Sequence, residues 1–284
     1  MRGAATLAGT TLALLAFAAN SLLCRLALAQ GAIDAASFTA IRLGSGAVVL
    51  MLLARLVHGS FPRPHWHGGK APLALLLYAL PFSLAYGRIG AGTGALVLFG
   101  SVQLTMLGTA LTRGERPRPV AWCGFALAAS GLVWLVAPSA RAPDLPGVLL
   151  MALAGIAWGV YTVLGRSAGE PIAANARAFT WSALLAIGGL VALPDDMSAT
   201  PRGVLLAALS GAVTSGLGYA LWYRVLPHLP VATAGFAQLA VPVLAALLAV
   251  AWLGEPFTAQ LAIASVLVLG GCGLALTAPG RRRR

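Results

Sequence analysis

The chain is a succession of apolar runs, separated by short polar connections that are rich in Pro and Gly. A run of roughly 20 apolar residues is the length that an α-helix needs to cross the hydrocarbon core of a bilayer. Because Pro and Gly mark the ends of such helices, their positions divide the chain into spans. The pattern predicts an all-α membrane protein with ten transmembrane helices, at about 5–28, 34–56, 71–87, 91–112, 119–137, 146–166, 174–193, 203–224, 231–252 and 257–277.

The hydrophobic pattern occurs twice. Residues 87–117 align without a gap on residues 227–257, at an offset of 140 positions, and upstream segments align at an offset of 141. Each copy is a long apolar run closed by Gly-Glu, at Gly114-Glu115 and at Gly254-Glu255, and then by Pro and a second apolar run. A repeat of this length divides the chain into two similar structural units.

The two predicted units are residues 1–140 and 141–284, with five helices each. Because five is an odd number, the second unit enters the membrane in the opposite orientation to the first. Two inverted five-helix repeats around a central cavity are the organisation of secondary transporters, which bind substrate near the midplane. Such halves can exchange conformations, and the exchange opens the site to the other side of the membrane.

Composition identifies the solvent. Hydrophobic residues make up 59% of the chain and charged residues 9%, with a mean hydropathy of +0.88. A soluble domain cannot bury so much apolar surface, so the lipid bilayer is a predicted partner. The net charge of +12 would suggest nucleic acid in a soluble protein. Here the basic residues stand in short loops between apolar runs, so no nucleic-acid partner is expected.

The basic residues also predict the orientation. With a cytoplasmic N-terminus, the inside segments hold fourteen Lys and Arg residues, and the outside loops hold three, Arg88, Arg141 and Arg202. This asymmetry places both termini in the cytoplasm of a multi-pass protein of a bacterial-type inner membrane. The first apolar run imitates a secretory signal peptide, but its counterpart at 148–166 is an internal span, so we interpret it as a retained helix.

The end of each half resembles the EamA-like ten-helix exporters of the drug/metabolite transporter superfamily. The most specific segment is an apolar helix with Pro242 near its middle, followed by Gly254-Glu255-Pro256 and a closing helix. In the first half Val102 stands where Pro is expected, so a kink is predicted for helix 9 and left open for helix 4. The resemblance covers nearly the whole chain. It implies ten helices around a central cavity, peripheral fifth helices, and export of small metabolites, often amino acids.

Polar and aromatic residues within the apolar runs are the candidate substrate-binding residues. Amide and phenol groups in lipid must find partners, so a central wet cavity suits them. Interhelical hydrogen bonding is the alternative for each of them. The candidates are Asn20, Arg42, Tyr78, Tyr86, Gln103, Trp158, Tyr161, Tyr219 and Gln238. Trp222 and Tyr223, nearer a helix end, are expected in an aromatic belt at the membrane interface.

Arg42 is the one ionisable residue clearly inside a predicted span. Because Arg in lipid costs several kcal/mol, its side chain should face the interior. It either provides a counter-charge for a substrate carboxylate or pairs structurally with carbonyls or Asp34. Arg25 lies nearer a helix end, where snorkelling to the interface explains it.

The seven acids map to loops or helix ends, which disfavours a lipophilic cation as substrate and the usual acidic proton relay. Glu115 and Glu255 are expected to face the positive end of the helix that follows each of them. The three cysteines are interpreted as buried, inert thiols.

No cofactor or metal site is predicted. The segment 90–94 is rich in Gly, but no strand precedes it, so a nucleotide loop is rejected. His58, His65 and His67 lie in a loop without neighbouring carboxylates or thiols, and a solvated loop is expected there.

These features predict a secondary transporter that exports a small neutral or zwitterionic metabolite, an amino acid or a relative, by alternating access. An importer or exchanger with the same fold is the first alternative. An integral membrane enzyme is disfavoured because no nucleophile–base or HExxH pattern occurs. A non-transporting membrane scaffold would leave the deep amides without a reason. The oligomeric state is left open.

Overall fold

The computed structural model describes residues 2–63, 69–89, 91–137, 144–192, 197–277 and 281–282. The first half contains α1 (Arg2–Cys24) with a π-helical turn (Arg25–Ala29), α2 (Ala35–His58), α3 (Lys70–Tyr86), α4 (Ala91–Thr112) and α5 (Pro119–Val136). The second half contains α6 (Leu145–Arg166), α7 (Pro171–Ala192), α8 (Pro201–Leu209), a π-helix (Ser210–Leu217), α9 (Gly218–Val225), a 3-10 turn (Leu226–His228), α10 (Val231–Gln238), α11 (Ala240–Leu253) and α12 (Ala259–Thr277). Two-residue strands β1 (Glu115–Arg116) and β2 (Arg281–Arg282) pair antiparallel.

The all-helical membrane fold predicted from the pattern is confirmed. Among the described residues, seven helical segments are long and apolar enough to cross a membrane. They are Ala4–Leu28, Ala35–His58, Gly94–Thr112, Leu145–Arg166, Pro201–His228, Val231–Leu253 and Ala259–Leu276. The helices α3, α5 and α7 coincide with the other predicted spans but fall outside these seven, so the count of ten crossings stays a prediction.

The helix that carries Pro242 is broken, whereas its counterpart is not. Between α10 and α11 the helix is interrupted at Leu239, just before Pro242. Pro has no N–H for the carbonyl of Gln238, and its ring clashes with that carbonyl. In α4, where Val102 takes the place of Pro, the helix is continuous from Ala91 to Thr112. The kink predicted for helix 9 is confirmed, and α4 does not share it.

Glycines allow the last helix of each half to meet its counterpart. A Cβ atom added to Gly124 in α5 would meet the carbonyl oxygen of Gly271 in α12, and the converse also holds. Small residues permit such backbone contact between helices in membranes. The outer sides of both helices expose large apolar residues, Trp122 and Val133 on α5 and Val266 on α12. The two closing helices therefore pack on each other at one flank of the bundle.

Two expectations about individual side chains are wrong. Trp222 and Tyr223 are fully buried, not in an interfacial belt, because α9 packs this face against α1 and α6. Cys123 is exposed on α5, whereas Cys24 and Cys272 are buried as expected. His65 and His67 lie outside the described residues, and no group of three potential metal ligands occurs among the described ones.

Candidate functional site

A cavity of about 220 Å³ opens at one end of the helix bundle, between α1, α3, α4, α6 and α11. Its mouth lies beside Arg25 and Glu255, and we call this end the open face. Two further polar side chains, Ser21 and Tyr86, line it. Most of the wall is apolar, and includes Leu22, Phe82, Leu98, Phe99, Met151 and Pro242.

At the opposite end of the bundle the Arg166–Glu115 pair is buried, and the larger void there, of about 760 Å³, is a surface groove beside the start of α1. Arg25 directly follows α1, a helix of 23 residues, so the start of α1 lies about 35 Å away at the other end. Pro230 lies beside the start of α1, where both line one surface groove, and Glu115 packs against Pro230 and the following residues. We call this end, which carries Glu115 and Arg166, the sealed face.

A layer of aromatic rings lies beneath the cavity. Phe82, in the cavity wall, has its ring centroid 5.6 Å from that of Tyr78, and Tyr78 lies 5.0 Å from Trp158. Trp158 in turn lies 5.0 Å from Tyr219. Phe17 meets Trp158 edge to face at 5.5 Å. Edge-to-face and offset pairs of this kind add stability beyond their buried area, so the layer is a tightly packed floor.

Arg42 is held at the side of this aromatic layer and is 2% exposed. Its Nε donates to Ser215 Oγ at 3.0 Å, and its Nη2 lies 3.2 Å from the Tyr78 hydroxyl and 3.4 Å from the Tyr219 hydroxyl. The guanidinium also lies 5.3 Å from the centre of the Tyr78 ring, within reach of a cation–π interaction. Among the described residues its Nη1 has no hydrogen-bond acceptor. Arg42 faces the interior, as its cost in lipid predicts.

Asp34 is not the partner of Arg42. Its carboxylate caps α2 by accepting hydrogen bonds from the backbone N–H groups of Ala36 and Ser37, at 3.0 and 2.8 Å. Capping satisfies donors that the first turn of a helix leaves free. The buried guanidinium is therefore balanced by hydroxyl groups, with no carboxylate among its described hydrogen-bond partners.

The buried amides make interhelical hydrogen bonds. Asn20 Oδ1 accepts from Ser210 and Thr214, at 2.6 and 3.1 Å, and joins α1 to the π-helix. Gln103 Nε2 donates to the carbonyl of Gly235, and Gln238 Oε1 accepts from the Trp158 indole. These bonds match the alternative that the sequence left open for each residue.

Tyr161 is also hydrogen-bonded within the bundle. Its hydroxyl donates to Asn175 Oδ1 at 2.7 Å, and its carbonyl accepts from the Tyr223 hydroxyl at 2.9 Å. Of the nine candidate residues, Tyr86 lines the cavity described above. Five of the others form or flank the aromatic layer or lie between it and the sealed face, namely Arg42, Tyr78, Trp158, Tyr161 and Tyr219. The three amides tie the same helices together.

Sequence reasoning missed the charged pair at the mouth of the cavity. Arg25 Nη2 lies 2.7 Å from Glu255 Oε1, with side chains 46% and 37% exposed. Snorkelling alone does not account for Arg25, because its guanidinium forms an ion pair with the Glu255 carboxylate of the other half. The signal was present in the repeat, since Arg25 aligns with Arg166 and Glu255 aligns with Glu115.

Glu115 does cap a helix, but not the one that follows it in the chain. Its Oε2 accepts hydrogen bonds from the N–H groups of Val231 and Ala232, at 2.9 and 3.4 Å, at the start of α10. Arg166 Nη1 lies 3.9 Å from Glu115 Oε1, and these side chains are only 10% and 6% exposed. A carboxylate at a helix start is stabilised by its N–H groups and its dipole. Gly114 aims Glu115 there by ending α4 in the left-handed region, at φ +74°.

Comparison with known proteins places these features in a family. A sequence model of the EamA-like transporter family matches residues 145–277. The uncharacterized protein PA1977 of Pseudomonas aeruginosa (strain PAO1) is 50% identical over 95% of this chain and 94% of its own length. The uncharacterized transporter YwfM of Bacillus subtilis (strain 168) is 27% identical over 75% of this chain and 74% of its own.

A solved crystal structure has a similar fold, with a TM-score of 0.78 and 26% identity, over 98% of this chain and 99% of its own. The match of sequence and of fold therefore extends over both halves. Residues 145–277 form an EamA-like transporter family domain, and the chain is homologous to a transporter of the drug/metabolite transporter superfamily.

Proposed function

We propose that the protein is a secondary transporter of the inner membrane that exports a small neutral or zwitterionic metabolite, an amino acid or a relative, by alternating access. Ten spans in two inverted repeats, 1–140 and 141–284, would carry out the exchange. The observation that carries the proposal is the asymmetry of the bundle, in which a cavity opens at one face and repeat-related residues are buried at the other. Alternation between two such arrangements moves a solute without any chemical step.

The charges of the cavity support this substrate class. Its wall is mostly apolar, and its mouth holds one guanidinium and one carboxylate, which together have no net charge. Such a surface suits a solute that carries both charges or none, and it offers no isolated carboxylate to a cation. With both termini in the cytoplasm, as the charges of the loops predict, the open face would lie away from the cytoplasm, which supports release outward. An importer or exchanger with the same fold is the alternative.

Reconstitution tests the transport activity directly. Purified protein in liposomes is assayed for uptake or exchange against a panel of neutral, zwitterionic and charged metabolites, after thermal-shift screening of the same panel. We expect at least one neutral or zwitterionic solute to stabilise the protein and to exchange faster than in protein-free liposomes. Uptake equal to protein-free liposomes across the whole panel would contradict the proposal. Liposomes sorted by orientation then distinguish export from import.

The proposed role of Arg42 gives a second test. Together with Tyr78 and Tyr219 it would receive the substrate carboxylate through its free Nη1 when the aromatic layer rearranges. Removing a buried charge that no carboxylate balances relieves its desolvation cost, which offsets the hydrogen bonds lost with Ser215, Tyr78 and Tyr219. We therefore expect Arg42→Met to remove transport of carboxylate-bearing solutes while the protein stays folded. Arg55→Met, an exposed position on the same helix, is the matched control. Equal transport in the two variants would assign Arg42 a structural role.

A further inference from the structure

The two Arg–Glu pairs are related by the repeat, and each joins one half of the chain to the other. Arg25 and Arg166 stand 141 positions apart, and Glu115 and Glu255 stand 140 apart. Arg25 of the first half pairs with Glu255 of the second, and Arg166 of the second half pairs with Glu115 of the first. The same two residue types thus occur at both ends of the bundle, in two different environments.

At the sealed face the pair is engaged with a third group, the start of a helix from the other half. Glu115 accepts the N–H groups of Val231 and Ala232 and is buried. The space left beside Glu115 and Pro230 is about 10 Å³, room for one water molecule at most. The contact between carboxylate and helix start therefore fills the space beside this pair.

At the open face the corresponding pair is partly exposed, with side chains 46% and 37% accessible. Glu255 pairs with Arg25 and lines the cavity. By the same offset, the backbone groups that correspond to Val231 and Ala232 are those of Ala91 and Gly92, at the start of α4. The cavity occupies the space in front of the Arg25–Glu255 pair.

We propose that Glu115 and Glu255 act as reciprocal latches, of which one is engaged at a time; the inference rests on the alternating access proposed above. When the sealed face opens, Glu115 leaves α10 and Glu255 accepts the N–H groups of Ala91 and Gly92, which closes the open face. Glu115 then has the partly exposed environment that Glu255 has now, and Glu255 has the buried environment of Glu115. Because one carboxylate is bound to a helix start in either state, the exchange loses no hydrogen bond of this type, and the two states lie close in free energy.

The repeat also identifies the residues that the exchange would expose. Most residues that line the present cavity have counterparts that are buried near the sealed face. Ser21 corresponds to Thr162, and Phe82 corresponds to Tyr223, both at an offset of 141. The buried counterparts include Thr10, Val102, Met106, Thr162, Tyr223 and Ala234. In the alternate state these residues form the wall of a cavity that opens at the sealed face.

The proposal is tested by cysteine labelling in detergent, where a water-soluble maleimide reaches both ends of the protein. Ser21→Cys and Thr162→Cys are nearly isosteric reporters at repeat-related positions, one in the cavity and one buried. The background is Cys123→Ser, because Cys123 is the exposed native thiol. In the otherwise unchanged protein we expect fast labelling of Ser21→Cys and slow labelling of Thr162→Cys.

Glu115→Gln removes the charge that holds the engaged latch. We expect it to raise the labelling rate of Thr162→Cys, and to lower that of Ser21→Cys, by roughly tenfold, the worth of one charge-assisted contact at a helix start. Glu255→Gln should leave Ser21→Cys fast and Thr162→Cys protected, and the double variant should return both rates toward those of the parent. Glu170→Gln, an exposed carboxylate that pairs with His58, is the control and should change neither rate.

A second pair of variants keeps both carboxylates and removes the groups that they bind. Pro is tolerated at the first position of a helix, so Val231→Pro deletes one N–H group that Glu115 accepts without breaking α10. It should reproduce the labelling change of Glu115→Gln. Ala91→Pro deletes the corresponding donor of α4, and should instead behave as Glu255→Gln.

The labelling needs no solute, so its outcome is separate from the transport assay. If Glu115→Gln and Val231→Pro leave the labelling rates of the two reporter cysteines unchanged, as Glu170→Gln should, the latch proposal is wrong. This holds even if the protein transports a solute. If labelling exchanges as expected but no solute crosses liposomes, the proposed function is wrong and the latch stands.

Discussion

The open and sealed faces use the same residue types at repeat-related positions and differ in what these residues contact. At the open face, Arg25 and Glu255 meet each other in partial contact with solvent. At the sealed face, Arg166 and Glu115 lie under a tenth exposed, and Glu115 also holds the start of α10. The comparison teaches that contacts and burial distinguish the two pairs, since the residue types of the pairs are the same.

The largest difference between the faces should appear when each carboxylate is removed. Glu115→Ala leaves two backbone N–H groups without their buried acceptor and removes the carboxylate beside Arg166, which costs about 3–5 kcal/mol. Glu255→Ala breaks a partly exposed pair, which costs about 0–1 kcal/mol. Thermal unfolding in detergent should therefore show a much larger loss for Glu115→Ala. Equal losses would mean that the two pairs are energetically alike and that burial at the sealed face contributes nothing.

An intermediate effect is expected at the ring that fills the sealed face. A Cβ atom on Gly165 would fall on the Tyr223 ring, so Gly165→Ala must displace it. Overpacking of this kind costs about 1–3 kcal/mol. Because the displaced ring opens the sealed face, Thr162→Cys should label faster in this variant. Gly100→Ala, where no atom lies within 4 Å of the added methyl group, is the control. Unchanged labelling would show that Tyr223 does not close this end.

The smallest effect should come from Arg25. Its pair with Glu255 is exposed enough to be screened by salt, and such pairs contribute about 0–1 kcal/mol. Arg25→Gln should lower the melting temperature slightly at low ionic strength and not at all in about 1 M salt. The same titration on Arg166→Gln should show a larger loss that salt does not remove. A salt-independent loss for Arg25→Gln would make the two faces equivalent.

Much of the fold could be predicted from the sequence, because lipid imposes simple rules on it. The apolar runs predicted the helices, and Pro242 predicted the break between α10 and α11. The cost of a charge in lipid predicted that Arg42 faces inward. These inferences depend on the hydrophobicity, proline content and charge of single segments, which can be read from the sequence without knowing how the helices pack.

The partners of the site residues could not be predicted in the same way. Arg25 and Glu255 are separated by most of the chain, so their contact depends on how α1 packs beside α11. Glu115 was expected to cap α5, the next helix in the sequence. In the fold it accepts instead from an N–H group at the start of α10. Asn20 could equally have lined a cavity or bonded to a neighbour, and only packing chose Ser210. The repeat gave the residue types, and tertiary structure gave their contacts.

The contact between Gly124 and Gly271 has a mechanical consequence. Because bare backbone meets bare backbone there, no side chain can flex to let α5 and α12 slide past each other. We expect the interface between α5 and α12 to keep its geometry while the remaining helices tilt. Bulkier residues at these two positions should then block the exchange of conformations proposed above, even though neither position lines the cavity.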